Sequence, residues 1–323
     1  MKTLVTGAGG FIASHLVEEL ARQGCEVRAF VRYNSSGNWG WLEDSSCRDS
    51  VEIISGDVRD YDLVKSAVSG CSVVFHLAAL IGIPYSYVSP LAYVRTNVEG
   101  TYNVFQAARE CGAERVVHTS TSEIYGTAQY VPIDEEHPVN PQSPYAASKA
   151  SADFLALSYY RSFGLPVTVV RPFNTYGPRQ SARAIIPTVI SQLLDGRDTL
   201  SLGNLAPTRD LTFVSDTVSG FLAAAASPET VGETVNLGTG SEISIGNLVA
   251  KIAHIMGREV KIVSDEQRVR PAKSEVERLL SDPGKMNALT GWRAQVSLDE
   301  GLVRAIEWMK DRRSLYKSDI YNV

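Results

Sequence analysis

A glycine cluster directly after the first apolar run constrains the first domain of this chain more than any other feature. The stretch TGAGGFIASH follows the strand pattern KTLVT and begins a helical pattern, which places Gly7, Gly10 and Ala13 at G-x-x-G-x-x-A spacing. Glycines here let the backbone turn tightly and approach a pyrophosphate, which then lies on the helix N-terminus. Because the cluster lies between a first strand and a first helix, it predicts a dinucleotide-binding site.

The rest of the first half alternates short valine-rich runs with helical patterns. The runs show little polar alternation, as expected of parallel strands covered on both faces. This spacing predicts an α/β fold with a doubly wound parallel Rossmann sheet. The expected strands are 2–6, 26–31, 51–54, 72–76, 115–119 and 166–171, and the expected helices are 11–23, 91–110 and about 145–163.

After about residue 172 the alternation gives way to mixed elements, which predict a smaller α/β substrate lobe. We expect a helix near 184–195, a strand near 198–202, and helices near 215–226, 244–256 and 296–312. We therefore divide the chain into an NAD(P)-binding Rossmann domain at 1–172 and a mainly substrate-binding lobe at 173–323. A segment near 211–240 is expected to return to the Rossmann domain.

Composition argues against several classes of function. The 323 residues carry a net charge of −5 without a basic stripe, so we expect no nucleic-acid partner. The cysteines are widely spaced, so we expect no metal site; they are Cys25, Cys47, Cys71 and Cys111. The sequence shows no signal peptide and no apolar run near 18 residues. We expect a cytoplasmic protein with no membrane partner.

Two features after the second strand bear on the adenosine end of the cofactor. NAD-binding folds usually carry an acidic residue at this strand's end, whereas this chain has Arg32, which suits the 2′-phosphate of NADP. Arg32 could equally stack on adenine or face solvent, so NAD+ and NADP+ both stay open. The polar loop 34–50 contains Trp39 and Trp41, and it either packs on the surface or covers a bound adenosine.

The stretch SPYAASK places Tyr145 and Lys149 four residues apart at the start of a helix, and hence on one face. Free tyrosine is a poor base at neutral pH, but a nearby ammonium favours the phenolate. Tyr145 can then take a proton from a substrate hydroxyl while hydride leaves the same carbon. After a dinucleotide fold, this pair predicts a catalytic acid–base group.

Taken together, these motifs resemble the extended short-chain dehydrogenase/reductase family, the nucleotide-sugar epimerases and dehydratases. The resemblance covers essentially the whole chain. Its further matching stretches are GDVRD (56–60), VFHLAA (74–79), TNVEGTYNVFQAA (96–108), TSTSEIYG (119–126), RPFNTYGPR (171–179) and TRDLTFVSDTV (208–218).

The resemblance implies roles for particular positions. The cofactor-binding residues would be Gly7, Gly10, Phe11, Ile12, Arg32, Asp57, Val58, Leu77, Ala78, Ala79, Asn97, Tyr145 and Lys149. The substrate-binding residues would be Thr121, Asn174, Arg209 and Arg270. The catalytic residues would be Thr121, Ser122, Glu123, Tyr145 and Lys149. His76 and His118 match structural positions and are expected to be buried.

Within this family the residues after the Ser-Thr pair of TSTSEIYG separate the chemistries. Epimerases tend to have a small residue where Glu123 lies, and dehydratases have a carboxylate. The resemblance is strongest to GDP-mannose 4,6-dehydratases and to the nucleotide-sugar 4,6-dehydratases of the legionaminic-acid pathway. It implies oxidation at C4, removal of the C5 proton by Glu123, loss of water from C6, and hydride return to C6. Either Ser122 or Glu123 protonates the departing hydroxyl.

The resemblance leaves the substrate and two rival activities open. UDP- or GDP-linked N-acetylglucosamine is the favoured nucleotide sugar. A UDP-glucuronate decarboxylase also carries a Thr-Ser-Glu motif and also starts by C4 oxidation. A 4-epimerase is a further alternative, which Glu123 disfavours, and an NAD(P)-binding regulatory protein is the non-enzyme alternative. Family members commonly form homodimers through two helices per subunit, here about 91–110 and 145–163, which make a four-helix bundle.

Overall fold

Within residues 1–318, which the computed structural model describes, a seven-stranded parallel sheet forms the centre of the protein. The strands are β1 (Lys2–Thr6), β2 (Glu26–Arg32), β3 (Glu52–Gly56), β4 (Val73–His76), β5 (Arg115–Thr119), β6 (Val167–Pro172), β7 (Asn174–Tyr176), β8 (Thr199–Leu202), β9 (Thr208–Phe213), β10 (Thr234–Leu237), β11 (Glu242–Ser244), β12 (Lys261–Ser264) and β13 (Arg278–Leu279). The central sheet has the order β10-β6-β5-β4-β1-β2-β3. The predicted doubly wound parallel sheet is therefore confirmed.

Helices cover both faces of this sheet, as buried parallel strands require. They are α1 (Phe11–Arg22), α2 (Tyr61–Val68), α3 (Ile83–Val88), α4 (Pro90–Tyr93), α5 (Gly100–Glu110), α6 (Pro144–Phe163), α7 (Ile185–Leu194), α8 (Val214–Ala226), α9 (Ile245–Ile255), α10 (Gly284–Thr290) and α11 (Leu298–Lys310). None of the helices within residues 1–318 is long and apolar enough to cross a membrane.

The expected helix 91–110 is a continuous helical run that contains a wider turn. Between α4 and α5, residues Val94–Glu99 form a π-helical turn. Such turns are rare and often occur at functional sites. Here the turn contains Asn97, whose side chain is fully buried.

The second half of the chain contributes to both parts of the molecule. Strand β10 pairs with β6 in the central sheet, and α8 packs against α1 through Val218 and Phe221, so the stretch 214–237 belongs with the first domain. A smaller lobe contains β9 with its neighbours β7, β11 and β13, and the separate pair β8–β12. Helices α7, α9 and α11 bury a core of their own there. The last five positions of the expected second lobe, 319–323, lie outside the described residues.

Candidate active site

The crevice of the sheet lies where β1 and β4 are neighbours, because the chain proceeds from them toward opposite edges. In such sheets ligands bind outside the carboxyl ends of the strands at this point. Gly7 ends β1 with a φ of 69°, and a Cβ there would lie 2.8 Å from the Cα of Ala78. The site therefore requires glycine at position 7 for both its conformation and its close contact with the loop after β4.

Thr6 holds the loop after β4 against β1. Its hydroxyl accepts hydrogen bonds from the backbone N–H groups of Leu77 at 3.2 Å and Ala78 at 3.1 Å, and lies 2.8 Å from Nδ1 of His76. Ala79 follows directly in the chain. The three residues predicted to line the cofactor channel thus lie beside the glycine turn.

The N-terminus of α1 offers the donors that a pyrophosphate needs. Gly10 precedes the helix in extended conformation, and no side chain caps the first turn, which begins with Phe11 and Ile12. An added Cβ on Gly10 would meet only the carbonyl oxygen of Gly7, at 3.1 Å. A helix N-terminus whose N–H groups have no side-chain cap fits a dinucleotide phosphate.

The residues expected at the adenine end lie at the ends of β2 and β3. Asp57 accepts hydrogen bonds from the guanidinium of Arg59, which lowers the pKa of the Asp57 carboxyl, and the charge of Arg32 adds to this effect. Arg32 itself is exposed. Val58 is buried against Gly100, where a Cβ would lie 2.7 Å from it. Arg32 is thus placed to meet either a 2′-phosphate or solvent.

The loop 34–50 packs on the surface. The ring of Trp41 lies 5.5 Å from that of Trp308, and the backbone N–H of Trp41 donates to the carbonyl oxygen of Gly9 at 3.0 Å. The guanidinium of Arg48 lies 4.9 Å above the ring of Trp39. These contacts support packing on the surface rather than a cover over bound adenosine. They also show that the loop contacts the glycine turn, through the bond between Trp41 and Gly9.

Helix α6 positions the tyrosine–lysine pair as the sequence predicts. Ser143 caps the helix by accepting from the N–H of Ala146 at 3.1 Å. Tyr145 and Lys149 are 8% and 4% exposed, and Lys149 Nζ donates to the carbonyl oxygen of Thr119 at 2.5 Å. Both side chains therefore lie under the carboxyl end of β5, at the crevice.

The protonation behaviour of this pair differs from the sequence expectation. Burial raises the pKa of the Tyr145 phenol, and the charge of Glu123 adds to the rise, while hydrogen bonding with Thr121 opposes it. Burial also lowers the pKa of Lys149 to about 8. The sequence predicts that a nearby ammonium favours the phenolate, whereas in the structure burial raises the pKa of Tyr145, because a buried phenolate is poorly solvated.

Glu123 lies in a short turn directly after β5. Thr121 caps this turn by accepting from the Glu123 N–H at 3.3 Å, and Ser122 is buried beside it. The carboxylate of Glu123 acts on two groups from other elements, since its charge raises the pKa of Tyr145 and opposes the lowering that burial causes in Arg209. The charge of one carboxylate thus influences both the tyrosine of α6 and an arginine of β9.

The predicted substrate-binding residues lie on the lobe side of this turn. The side chain of Glu275 joins two of them, because its Oε1 accepts from Arg209 at 3.3 Å and from Arg270 at 3.5 Å. Asn174 begins β7, which pairs with β9, and its side-chain oxygen is buried without a hydrogen-bond partner. A pair of cations is suited to an anionic group, and an unsatisfied amide oxygen is suited to a hydrogen-bond donor such as a hydroxyl group.

A buried ion pair that the sequence did not reveal supports the turn from below. Asp153 accepts from Ser120 at 2.8 Å and from Nε of Arg171 at 3.0 Å, and Arg171 also donates to the Tyr125 hydroxyl at 2.8 Å. Asp153 lies four residues after Lys149, so helical spacing could have indicated it. These contacts hold both ends of TSTSEIYG.

The two histidines are buried, as expected. His118 lies 3.4 Å from Asp153, and burial lowers its pKa to about 4. His76 lies between Thr6 and Thr101, and burial lowers its pKa well below the ordinary value. Neither imidazole faces the crevice as a free base.

Asn97 supports the site rather than presenting free polar atoms to it. Its amide accepts from the N–H of Leu80 at 2.8 Å and donates to the carbonyl of Leu80 at 3.0 Å and to the Ser148 hydroxyl at 2.9 Å. These bonds join the loop after β4 to α6. Asn97 thus positions the loop that carries Ala79, and the cofactor contact expected at Asn97 stays a prediction.

Comparison with known proteins identifies relatives over the full length of the chain. A family model described as GDP-mannose 4,6 dehydratase matches residues 4–305. A UDP-glucose 4-epimerase from Mycolicibacterium smegmatis is 36% identical, over 97% of this chain and 99% of that protein. A dTDP-glucose 4,6-dehydratase from Streptomyces antibioticus is 34% identical, over 98% and 95%. The crystal structure of a dTDP-glucose 4,6-dehydratase from Streptomyces venezuelae, solved with NAD bound, has a TM-score of 0.89 and 33% identity, over 98% and 99%.

Proposed function

Because the chain belongs to the GDP-mannose 4,6-dehydratase family of extended short-chain dehydrogenase/reductases, we propose that it is an NAD(P)-dependent nucleotide-sugar 4,6-dehydratase. It converts an NDP-hexose to the 4-keto-6-deoxy sugar. The single observation that carries this proposal is the position of Glu123, in the short turn directly after β5 that Thr121 caps. A 4-epimerase needs no base at C5, whereas a dehydratase does.

Different residues around the crevice would act in different steps of this reaction. The glycine turn and the loops after β3 and β4 would hold NAD(P)+, which would supply a ring that accepts hydride and later returns it. Tyr145 takes the proton of the C4 hydroxyl, and Thr121 hydrogen-bonds the C4 oxygen. Lys149 contributes positive charge next to Thr119. The C4 ketone that results makes the C5 proton acidic.

Glu123 then removes the C5 proton, and the hydroxyl leaves C6 as water. A titratable side chain is needed for this step, since a neutral hydroxyl at position 123 would be too weak a base. The proton for the departing hydroxyl comes from Ser122 or from protonated Glu123. Hydride return to C6 is accompanied by return of a proton to C5, and the proton that Tyr145 took from the C4 hydroxyl balances it. The net loss from the sugar is therefore one proton and one hydroxide, which form one water.

The substrate side of the site supports a nucleoside diphosphate. Arg209 is 7% exposed, so a diphosphate that contacts it displaces little water. Hydrogen bonds between a guanidinium and a phosphate are charge-assisted and therefore strong. Asn174, on the strand that pairs with that of Arg209, adds an unsatisfied acceptor oxygen, which suits a hydroxyl or N–H group of the sugar or nucleoside rather than the diphosphate. We favour UDP- or GDP-linked N-acetylglucosamine as the substrate, on the resemblance of the sequence.

NAD is the favoured cofactor, since the solved dehydratase from Streptomyces venezuelae contains it. Arg32 keeps NADP as the second candidate, because it is exposed at the end of β2 and contributes positive charge there. Binding of the two dinucleotides to the purified protein, measured by calorimetry, distinguishes them. An Arg32→Glu variant that loses NADP but keeps NAD would assign the role of this arginine.

A homodimer is the proposed assembly. The run from α4 to α5 exposes Leu91, Val94 and Tyr102, and the adjacent α6 exposes Phe154. Two neighbouring helices with a shared apolar face are suited to pair with the same two helices of a second copy as a four-helix bundle. The occupant of this face is therefore a second copy of the chain.

A specific observation also favours a second activity, 4-epimerisation. The relative from Mycolicibacterium smegmatis, which is named a UDP-glucose 4-epimerase, shares 36% of its residues with the chain. Incubation of purified protein with UDP-, GDP- and dTDP-linked hexoses, followed by mass spectrometry, separates the activities. A dehydratase removes one water, an epimerase leaves the mass unchanged, and a decarboxylase acting on UDP-glucuronate removes carbon dioxide.

A further inference from the structure

The residue three positions before Tyr145 connects the two sides of the active site. We propose that Gln142 is a positioning residue that ties the turn holding Glu123 to the segment holding Arg270 and Glu275, and that it thereby sets the affinity for the diphosphate of the substrate. This inference rests on the proposed function, because it concerns how the same site holds its nucleotide sugar.

One amide makes the connection. Gln142 Oε1 accepts from the N–H of Thr127 at 2.5 Å, four residues beyond Glu123. Its Nε2 donates to the carbonyl oxygen of Lys273 at 2.9 Å and to that of Glu275 at 3.3 Å. Oxygen and nitrogen of the same side chain therefore bond to two segments that are distant in sequence.

Neighbouring contacts strengthen the same connection. The Ser274 hydroxyl donates to the carbonyl oxygen of Gln142 at 2.7 Å and lies 2.6 Å from the Tyr87 hydroxyl. The Thr127 hydroxyl accepts from the N–H of Glu277 at 3.3 Å. Gly126 is required beside it, since it has a φ of 66° and a Cβ there would lie 2.6 Å from Gln142 Oε1.

Glu275 connects the hydrogen bonds of Gln142 to the two arginines of the substrate side, Arg209 and Arg270. Its backbone is held by Gln142, and its carboxylate accepts from Arg209 and Arg270. Arg270 is 28% exposed in its side chain and precedes a stretch without regular structure, so its place depends on these contacts. Loss of the Gln142 amide would free the backbone of Glu275, and the guanidinium of Arg270, which bonds to the Glu275 carboxylate, would lose its fixed position.

The catalytic groups have independent supports, which makes the role of Gln142 separable. Helix α6 is capped by Ser143, and the turn with Glu123 is capped by Thr121. Lys149 bonds to β5 directly. A change at Gln142 should therefore affect substrate binding far more than the chemical steps.

The test uses Gln142→Glu with Gln295→Glu as the matched control. The first variant keeps the acceptor for Thr127 but places a carboxylate oxygen against two carbonyl oxygens. Gln295 is exposed and its Nε2 also donates to a backbone carbonyl, that of Arg293 at 3.0 Å, away from the site. Affinities for UDP, GDP and dTDP are measured by calorimetry in the absence of any sugar, together with the affinity for NAD.

We expect Gln142→Glu to bind the preferred nucleoside diphosphate about tenfold more weakly or worse, as loss of hydrogen bonds to a charge-binding segment implies. NAD affinity should stay within about twofold of wild type, and in turnover KM should rise while kcat changes less than about threefold. Gln295→Glu should match wild type in every measurement.

Unchanged nucleoside diphosphate affinity in Gln142→Glu overturns the proposal, and so does a wild-type chain that binds none of the three nucleotides. A fall in kcat with KM unchanged also overturns it. If Gln142→Glu does not fold, Ser274→Ala replaces it, since it removes only the second link; it should show a smaller loss in the same direction, and no loss contradicts the proposal. Failure of the proposed function is distinguishable, because it appears as nucleotide binding without loss of water from any sugar.

Discussion

Lys149 Nζ donates a hydrogen bond of 2.5 Å to the carbonyl oxygen of Thr119, and this bond joins helix α6 to the end of β5. Burial lowers the pKa of Lys149 to about 8, so the side chain is charged at neutral pH and loses its proton just above that value. The charge state of the site therefore changes within the range where the enzyme can be assayed.

The first prediction concerns this titration. As the pH rises through about 8, Lys149 becomes neutral, and kcat/KM of wild type should decline because the positive charge next to Tyr145 is lost. Lys149→Arg stays protonated over this range, so its residual activity should lack the decline. The measurement is kcat/KM against pH, which reports groups of the free enzyme. The same alkaline decline in both proteins would exclude Lys149 as its source.

The second prediction concerns the ion pair beneath the active site. Asp153→Asn removes one partner of a buried pair and leaves Arg171 without its counter-charge, which typically costs about 3–5 kcal/mol in the free energy of unfolding. Asp299→Asn is the control, because Asp299 makes a comparable pair with Lys251 at an exposed position. Urea denaturation measures both. A loss below about 1 kcal/mol in Asp153→Asn would show that the pair does not stabilise this region.

The third prediction concerns acid sensitivity. The folded chain holds His118 neutral down to a pKa of about 4, whereas the unfolded chain takes up the proton near the ordinary value of 6.5. The unfolded state then binds more protons between these values, so the free energy of unfolding falls as the pH drops through this window, by about 3 kcal/mol at most. His118→Gln should flatten this slope in urea denaturation at neutral pH and at about pH 5. If the free energy of unfolding of His118→Gln depends on pH as strongly as that of wild type, groups other than His118 cause the acid sensitivity.

The fourth prediction concerns assembly. Phe154→Asp places a charge in the exposed apolar face of α6 and should convert the proposed dimer to a monomer. Val303→Asp is the matched control, since Val303 is 39% exposed on α11 in the other lobe. Light scattering coupled to size-exclusion chromatography measures the mass of each. A wild-type monomer, or an unchanged mass in Phe154→Asp, would contradict the proposed face.

Much of this architecture could be predicted because its signals are local. Valine-rich runs and the glycine cluster are contiguous in the sequence, so the order of strands and helices around Gly7 followed from pattern alone. The spacing of Tyr145 and Lys149 likewise placed both on one face of α6, where the structure has them.

What the sequence could not supply are contacts between distant segments and the electrostatic effects of burial. Nothing in a local pattern joins Gln142 to Glu275 or Asp153 to Arg171, since each pair depends on the packed fold. The rise in the pKa of Tyr145 could not be predicted for the same reason. Spacing shows that an ammonium is near, but only the structure shows how little water surrounds both groups.

Glu123 carries the central claim, and Glu123→Gln tests it most directly. Exchange of the carboxylate for an amide keeps size and polarity but removes the base, so elimination should slow by about 10²–10⁴-fold while C4 oxidation continues. Glu136→Gln, at an exposed position in the loop that follows, is the control.

The measurement is mass spectrometry of the nucleotide sugar after incubation, with absorbance of the reduced nicotinamide recorded in parallel. Our account predicts that wild type and Glu136→Gln release one water from the sugar. Glu123→Gln should form reduced nicotinamide and the 4-keto sugar without loss of water. Loss of water at the wild-type rate in Glu123→Gln would contradict the account, and would show that another group removes the C5 proton.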